Sequence, residues 1–312
     1  VTGSVKNVPF RASVGATNQE GILRTSDFNR YTASLNVNPS LLDDHLKVNL
    51  SAKYMFAKTV YADGGAMGAA LGMDPTKPVR TADPRFKNFG GYYQWLQEGS
   101  VLKDSKWPET KIDLATANPL SMIDMKNDVA KSNAFVGNLE LDYQVHGLKD
   151  LRLHMNIGAD VSGGRQDTEI SPASGTNTYY GYSGWEKINK YNLSYNAYAQ
   201  YTKDFSKTQH FDVMAGYEWQ HFYREGFSKG SGFYPQTNDV ENLRGTVYQP
   251  KKDEWKTENY LVSFFGRANY SLADRYLFTA VMMVQAVLKT TGRCSPLSLS
   301  VGKLIMSNSS KT

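Results

Sequence analysis

The sequence predicts an all-β fold, an antiparallel transmembrane β-barrel segment, from three observations. Apolar and polar residues alternate strictly; the alternating runs are long enough to cross a bilayer; and the links between them are short and long by turns. An alternating run places its apolar residues on one face of an extended chain, whereas a helix would scatter them around its circumference. The runs reach about ten to thirteen residues, against about five or six for a typical strand of a globular protein.

Taken in order, Phe10 to Ala16 opens the pattern, and Tyr31, Ala33, Leu35 and Val37 continue it. Leu46, Val48, Leu50, Ala52, Tyr54 and Phe56 alternate with His45, Lys47, Asn49, Ser51 and Lys53. Phe135, Leu139, Leu141, Tyr143 and Val145 alternate with Asn138, Glu140, Asp142, Gln144 and His146. After a tight turn at Gly147 to Asp150, Leu151, Leu153, Met155, Ile157, Ala159 and Val161 do the same. Tyr191 to Tyr201, Phe211 to Trp219, Tyr260 to Tyr270 and Tyr276 to Ala280 bring the count to about nine strands.

Short links fall near Asn38 to Asp44, Gly147 to Asp150, Phe205 to Lys207 and Leu272 to Asp274. Long ones fall near Thr17 to Asp27, Ala57 to Lys131, Gly163 to Lys190 and Glu225 to Thr257. A transmembrane barrel orders its links in this way, with short periplasmic turns and long extracellular loops, while a sandwich mixes them. A secreted β-sandwich with one wet face is the rival reading of the periodicity, and strand length speaks against it.

Composition fits the membrane reading. The 312 residues are 40% hydrophobic and 12% aromatic, with 26 Gly and 20 Tyr. The mean hydropathy of −0.49 does not exclude a membrane, because only alternate strand residues face lipid. No run of about eighteen apolar residues is present to form a membrane helix. The chain starts at Val1, without the charged and apolar segments of a signal peptide, and so reads as an interior fragment.

The formal charge of +5 is concentrated at one end. Residues 281–312 hold Lys289, Arg293, Lys303 and Lys311 and no acid, which leaves +1 for the rest. The body therefore lacks the basic stripe that nucleic-acid binding needs. The single cysteine, Cys294, lies in the same tail, so neither a disulfide framework nor a thiolate metal site is expected.

No HExxH, Walker-type, GxSxG or GxGxxG motif occurs, and the sequence predicts no enzyme, no cofactor and no metal site. The glycine cluster from Gly64 to Gly72 lacks a following Lys-Ser/Thr and reads as a flexible loop or small-residue packing. His45, His146, His154, His210 and His221 lie mostly on the polar faces of different strands, where exposure explains them better than metal ligation. Two clusters of loop aromatics are candidates for substrate binding: Tyr92, Tyr93 and Trp95, and Tyr179, Tyr180, Tyr182 and Trp185. Flat rings suit stacking on sugars or packing on peptides, although they can equally anchor a loop or sit at a membrane interface.

Longer stretches resemble the SusC/RagA group of TonB-dependent outer-membrane transporters. These are PFRASVGATNQEGILRTSD from Pro9, NRYTASLNVNPSLLDDHLKVNLSAKYMFAK from Asn29, GGAMGAALGMDPTKPV from Gly64, FGGYYQWL from Phe89, YYGYSGW from Tyr179, VMAGYEWQHF from Val213 and YLVSFFGRANYSLADRYLFTA from Tyr260. The resemblance covers residues 1–280 and implies a partial barrel of a nutrient importer for glycans or peptides. It implies an outer-membrane location, with lipid around the barrel. It also implies a plug domain that contacts the TonB complex and is missing here, and a SusD-like surface lipoprotein as partner. The alternatives are a passive porin-like barrel or a secreted β-rich glycan-binding module. About nine strands cannot close a barrel of the family's size, so an incomplete barrel is expected, and its unpaired edges predict aggregation if the chain is made alone.

After Ala280 the resemblance stops. The codons of Val281 to Val284, GTN-ATG-ATG-GTN, regrouped by one base permit Arg-Asp-Asp-Gly, which continues the family's strand. Ser295 to Leu304 likewise permit Phe-Pro-Ser-Leu-Ser-Leu-Gly-Trp-Lys-Ile. Residues 281–312 are therefore expected to be a frameshifted tail with no selected structure.

Overall fold

A computed structural model describes residues 1–5, 8–96, 112, 114–176, 181–233, 247–273, 275–289, 298–300 and 305–308. The strands are β1 (Thr2–Val5), β2 (Val8–Glu20), β3 (Asp27–Val37), β4 (Ser40–Leu41), β5 (Leu46–Val60), β6 (Lys126–Gln144) and β7 (Leu151–Ile170). They continue as β8 (Tyr182–Ser206), β9 (Gln209–Phe233), β10 (Val247–Leu272), β11 (Tyr276–Lys289), β12 (Ser298–Ser300) and β13 (Ile305–Asn308). They form one sheet in the order β1-β2-β3-β5-β6-β7-β8-β9-β10-β11-β12, with β4 on β5 and β13 on β11. Every pairing is antiparallel.

All nine expected strands are present, and the meander of neighbours is the simplest topology that short and long hairpin links allow. Register keeps the apolar sets on one face across the sheet. Leu50 faces Leu139, Leu139 faces Ile157, Ile157 faces Tyr195, Tyr195 faces Trp219, and Trp219 faces Val262. A slip of one residue at any ladder would turn a strand's apolar set to the other face, so this agreement fixes the register.

No second layer covers that apolar face among the described residues. Leu50 is 40% exposed, Tyr54 47%, Leu153 42%, Ile157 42%, Leu193 40% and Phe264 56%. A sandwich would bury these side chains between two sheets. Here the buried apolar residues lie mostly in the long connection after β5: Ala66, Phe86, Phe89, Tyr92 and Ile123. On β7 the apolar outer positions run from Leu151 to Val161, about 34 Å along the strand. At the tilt usual for barrel strands this gives about 25 Å along the membrane normal, the height of a barrel's apolar band. The sheet is thus an open segment of barrel wall, and no pairing joins its first and last strands among the described residues.

The long links are shorter than the alternation suggests, because the strands run on past the apolar band. β5 extends to Val60 and β6 starts at Lys126; β7 reaches Ile170 and β8 starts at Tyr182. β9 and β10 likewise continue to Phe233 and from Val247. Backbone hydrogen bonds hold the ladder together whichever solvent bathes the side chains, so pairing persists where the hydrophobic pattern ends. At the short-turn end Gly147 takes a φ of 77°, a left-handed conformation that costs glycine little, and closes the link between β6 and β7.

The connection from 61 to 125 carries structure of its own. Its elements are α1 (Gly65–Gly72), a 3-10 turn at Pro84–Phe89 and α2 (Pro119–Asp124), so the glycine cluster is helical. Asn118 caps α2, accepting from the amides of Leu120 at 3.1 Å and Ser121 at 3.3 Å, with Pro119 in the first turn. Asp83 caps the 3-10 turn, which ends at Gly90 with φ 64°. A side chain at Gly90 would also meet the Met125 methyl. β11 in turn continues beyond Ala280, paired with β10 as far as Lys289. In this stretch Val281 and Met283 stand on the polar face, opposite Arg267 and Phe265.

Candidate functional site

Two surfaces carry chemistry: the sheet face opposite the apolar band, and the loop cluster seated on one end of the strands. On the polar face, cations and carboxylates are matched across neighbouring strands and along single ones. Lys190 Nζ lies 2.7 Å from Asp160 and Arg267 3.4 Å from Asp212 on the next strand, and Lys126 lies 3.4 Å from Asp128 two residues on along β6. Asp212 is buried and accepts hydrogen bonds from Gln200 at 2.5 Å, Thr202 at 2.9 Å and Asn269 at 3.2 Å. Asp128 accepts from Gln166 at 2.7 Å and Thr168 at 3.1 Å. His154 stacks on Tyr198 with ring centroids 4.6 Å apart and faces Glu140 at 3.7 Å and Asp142 at 3.8 Å.

One row of this face keeps hydrogen-bonding capacity in reserve. Register lines up Glu140, Asn156, Asn196, Glu218 and Ser263 across five strands. The Oδ1 atoms of Asn156 and Asn196 and the Oγ of Ser263 have no partner, although each is shielded from solvent. Aromatic rings share the face and lie on glycines: Tyr182 over Gly184 and Gly230, Phe265 over Gly216, and Trp255 over Gly226. Alternation could have found Tyr198, Phe265 and Trp255, since each is an aromatic residue at a polar-face position. They were missed because the apolar set absorbs attention.

The loop cluster is tied to the wall through backbone and side chains. Tyr61 donates its amide to the Asp128 carbonyl at 2.8 Å, and Ser171 donates to Met125 at 2.8 Å. Asp124 at the end of α2 is the side-chain hub. Tyr92 donates its hydroxyl to it at 2.6 Å, Arg24 from the β2–β3 link pairs with it, and Arg80 lies 3.5 Å away and over the Tyr92 ring. Burial pulls the Asp124 carboxyl upward, but the hydrogen bonds from Tyr92 and Arg24 and the charges of Arg24 and Arg80 outweigh it, so it sits below the ordinary carboxylate range. Burial, followed by the hydrogen bond to Asp124, pushes the Tyr92 phenol above its ordinary value.

The seven candidate aromatics separate into different surroundings. Tyr92 is 3% exposed and belongs to the Asp124 hub, so it holds the loop together. Tyr93 and Trp95 remain half-buried and form an edge-to-face pair with centroids 5.5 Å apart; Phe86 backs Tyr93 at 5.1 Å, and the Lys77 ammonium lies 5.9 Å from the Trp95 ring. Tyr179 and Tyr180 lie outside the described residues. Tyr182 and Trp185 stand on β8, not on a loop, and three positions apart they face opposite sides of the sheet. Tyr182 lies on the polar face, while Trp185 lies on the outer face under the Arg165 guanidinium at 4.8 Å. The structure therefore brings Tyr93 and Trp95 together and separates Tyr182 from Trp185.

A curled antiparallel wall of bilayer-length strands, apolar outside and polar inside, defines an outer-membrane type of β-barrel protein. TonB-dependent receptor SusC of Bacteroides thetaiotaomicron is 44% identical over 283 residues, covering 90% of this chain and 28% of the relative. TonB-dependent receptor P26 of Formosa agariphila is 24% identical over 288 residues, covering 90% of this chain and 27% of the relative. In shape the chain is similar to the RagAB peptide transporter, with a TM-score of 0.62 at 16% identity over 92% of this chain and 31% of that one. No family model matches the chain. The chain belongs to the SusC/RagA group of TonB-dependent transporters, of which it is a partial β-barrel region. It spans less than a third of the length of the relatives it matches.

Proposed function

We propose that this chain is part of the barrel of an outer-membrane, TonB-dependent importer that takes up glycans or peptides. The single observation that carries the proposal is the segregation of the two sheet faces. Outside is a bilayer-high apolar band; inside is a wall of matched charges with the unpartnered Oδ1 atoms of Asn156 and Asn196. Such a lining suits a hydrated path for polar cargo. Tyr93 and Trp95 at the loop end offer a stacking surface for capture, and Tyr182 offers a ring further in. Capture would be followed by rearrangement of a plug domain driven through the TonB complex, with a SusD-like surface lipoprotein as lid. No covalent chemistry is assigned to any residue.

A passive porin-like barrel would share the wall but not the dependence on TonB. A secreted glycan-binding module is disfavoured by the uncovered apolar face, which water would not tolerate at this extent. The test is depletion of defined glycan and peptide mixtures from the medium by cells with and without the gene, in backgrounds with and without TonB. The proposal expects one cargo class to be depleted only when both are present. Depletion that persists without TonB would favour the porin reading, and depletion indifferent to the gene would overturn both. In the same assay Trp95→Ala is expected to weaken capture by about 1–2 kcal/mol, or roughly five- to thirtyfold in affinity.

We also propose that residues 281–312 are translated out of frame. The apolar Val281 and Met283 on the polar face of β11 support this, since the regrouped codons place polar residues in that stretch. The gene's nucleotides decide it. A neighbouring frame that continues into alternating strands supports the proposal, and an immediate stop in that frame overturns it.

A further inference from the structure

Beyond the apolar band, on the same outer face and at the long-loop end, four basic side chains stand directly opposite one another on four successive strands. Lys58 on β5 faces Lys131 on β6, Lys131 faces Arg165 on β7, and Arg165 faces Lys187 on β8. All four are exposed. With strands about 4.8 Å apart the row spans about 14 Å. Like charges directly opposite on neighbouring strands repel and destabilise a sheet, so such a row calls for compensation.

The chain supplies that compensation at close range on its other face and only in part here. On the polar face Lys190, Lys126 and Arg267 each have a carboxylate within 4 Å. On the outer face Asp167 holds Arg165 at 2.7 Å and the Glu225 carboxylate acts on Lys187 from beyond ion-pair distance, while Lys58 and Lys131 have no ion-pair partner among the described residues. Lys58 lies two residues beyond Phe56 of the apolar band, and Lys131, Arg165 and Lys187 lie four residues beyond Phe135, Val161 and Tyr191. Along tilted strands this places the row about 5–10 Å above the apolar edge, which is the depth of the headgroup layer. Trp185 sits one outer position beyond Lys187 and packs against Arg165, as an interfacial aromatic does.

We propose that Lys58, Lys131, Arg165 and Lys187 form a binding site on the outside of the barrel for the phosphate groups of anionic lipid headgroups in the surrounding leaflet. The partner is a lipid and not a protein, because the row stands on the lipid-facing side of the strands, one outer position, that of Asn133, Gly163 and Asn189, beyond the apolar band. Its four cations, of which Lys58 and Lys131 have no carboxylate partner among the described residues, match a plane of phosphates at that same depth. The site rests on the barrel's orientation in the membrane and is independent of what cargo the channel carries.

The test is native mass spectrometry of the transporter that contains this segment, purified in mild detergent and titrated with phosphatidylglycerol or with phosphatidylcholine. The wild-type protein is expected to retain phosphatidylglycerol at least about tenfold more tightly, within what about fivefold per basic side chain at a membrane surface supplies. The combined variant Lys58→Gln, Lys131→Gln, Arg165→Gln and Lys187→Gln is expected to lose that preference, while Lys53→Gln on the polar face keeps it. Equal binding of the two lipids by the wild type overturns the proposal whether or not the variant folds. So does a preference that survives the four substitutions, or a variant that loses a co-purifying polypeptide while its lipid preference stands. Failure of TonB-dependent uptake would leave this result untouched.

Discussion

β8 contains two regions that share one hydrogen-bonded ladder and yet have little else in common. From Tyr191 to Tyr201 the outer positions are Tyr191, Leu193, Tyr195, Ala197, Ala199 and Tyr201, and the inner ones are polar or, at Tyr198, aromatic. From Tyr182 to Lys190 the outer positions are Ser183, Trp185, Lys187 and Asn189, and the inner ones mix Glu186 and Lys190 with Ile188. Both regions pair residue by residue with β7 and β9 without a break. The difference shows that hydrophobic alternation records which solvent a face meets, while the ladder records only that the backbone needs partners.

The largest expected effect comes from placing a charge where the first region meets lipid. Ile157→Lys lies near the middle of the apolar band and is expected to destabilise the inserted barrel by about 2–4 kcal/mol, measured by urea unfolding from lipid. The matching change beyond the band, Ser183→Lys, is expected to stay within about 0.5 kcal/mol. Equal penalties at the two positions would erase the contrast between the regions.

The loop cluster sharpens the comparison, since water-bathed structure has to be held by specific polar contacts. Asp124→Asn removes the charge that Arg24 and Arg80 face, and the cluster is expected to loosen by about 1–2 kcal/mol, with the figure reduced by the exposure of both arginines. Hydrogen exchange within the 61–125 connection reads this, and the strands of the band should show no change. The same contact makes the cluster acid-sensitive. The Asp124 pKa is depressed in the folded state, so its stabilisation is complete above the unfolded value of 3.8 and is lost as pH falls through the lower folded value. Exchange in the connection should therefore accelerate below pH 3.8 in the wild type and not in Asp124→Asn. The smallest effect is local. Gly184→Ala would place a methyl against the Tyr182 phenol and should cost less than about 1 kcal/mol, seen as loss of the ring-current shift on Gly230.

What was legible in the sequence follows the same division. Leu151 to Val161 declared its strand because lipid on one side and a wet channel on the other impose opposite demands on successive residues. Gly163 to Ile170 declared nothing, since water or loop packing meets both faces, and the ladder there shows only in three dimensions. Tyr92 was legible as a loop aromatic, but its burial against Asp124 depends on Arg24 and α2, far away in the chain. Tyr182 and Trp185 looked like neighbours in a loop. Once β8 is known to reach them, their odd spacing alone sends them to opposite faces.

The central claim is that β8 passes unbroken from lipid into water. Its most direct test is a nitroxide scan from 183 to 201 in the lipid-embedded transporter, with any native cysteine first replaced by Ser. Collision with dissolved oxygen should alternate strictly with residue number from 191 to 201, with maxima at odd positions, while a water-soluble nickel complex shows the opposite phase. From 183 to 189 the nickel complex should reach both faces, with backbone order unchanged. A phase that continues through 183–189, or no phase within 191–201, would contradict the account.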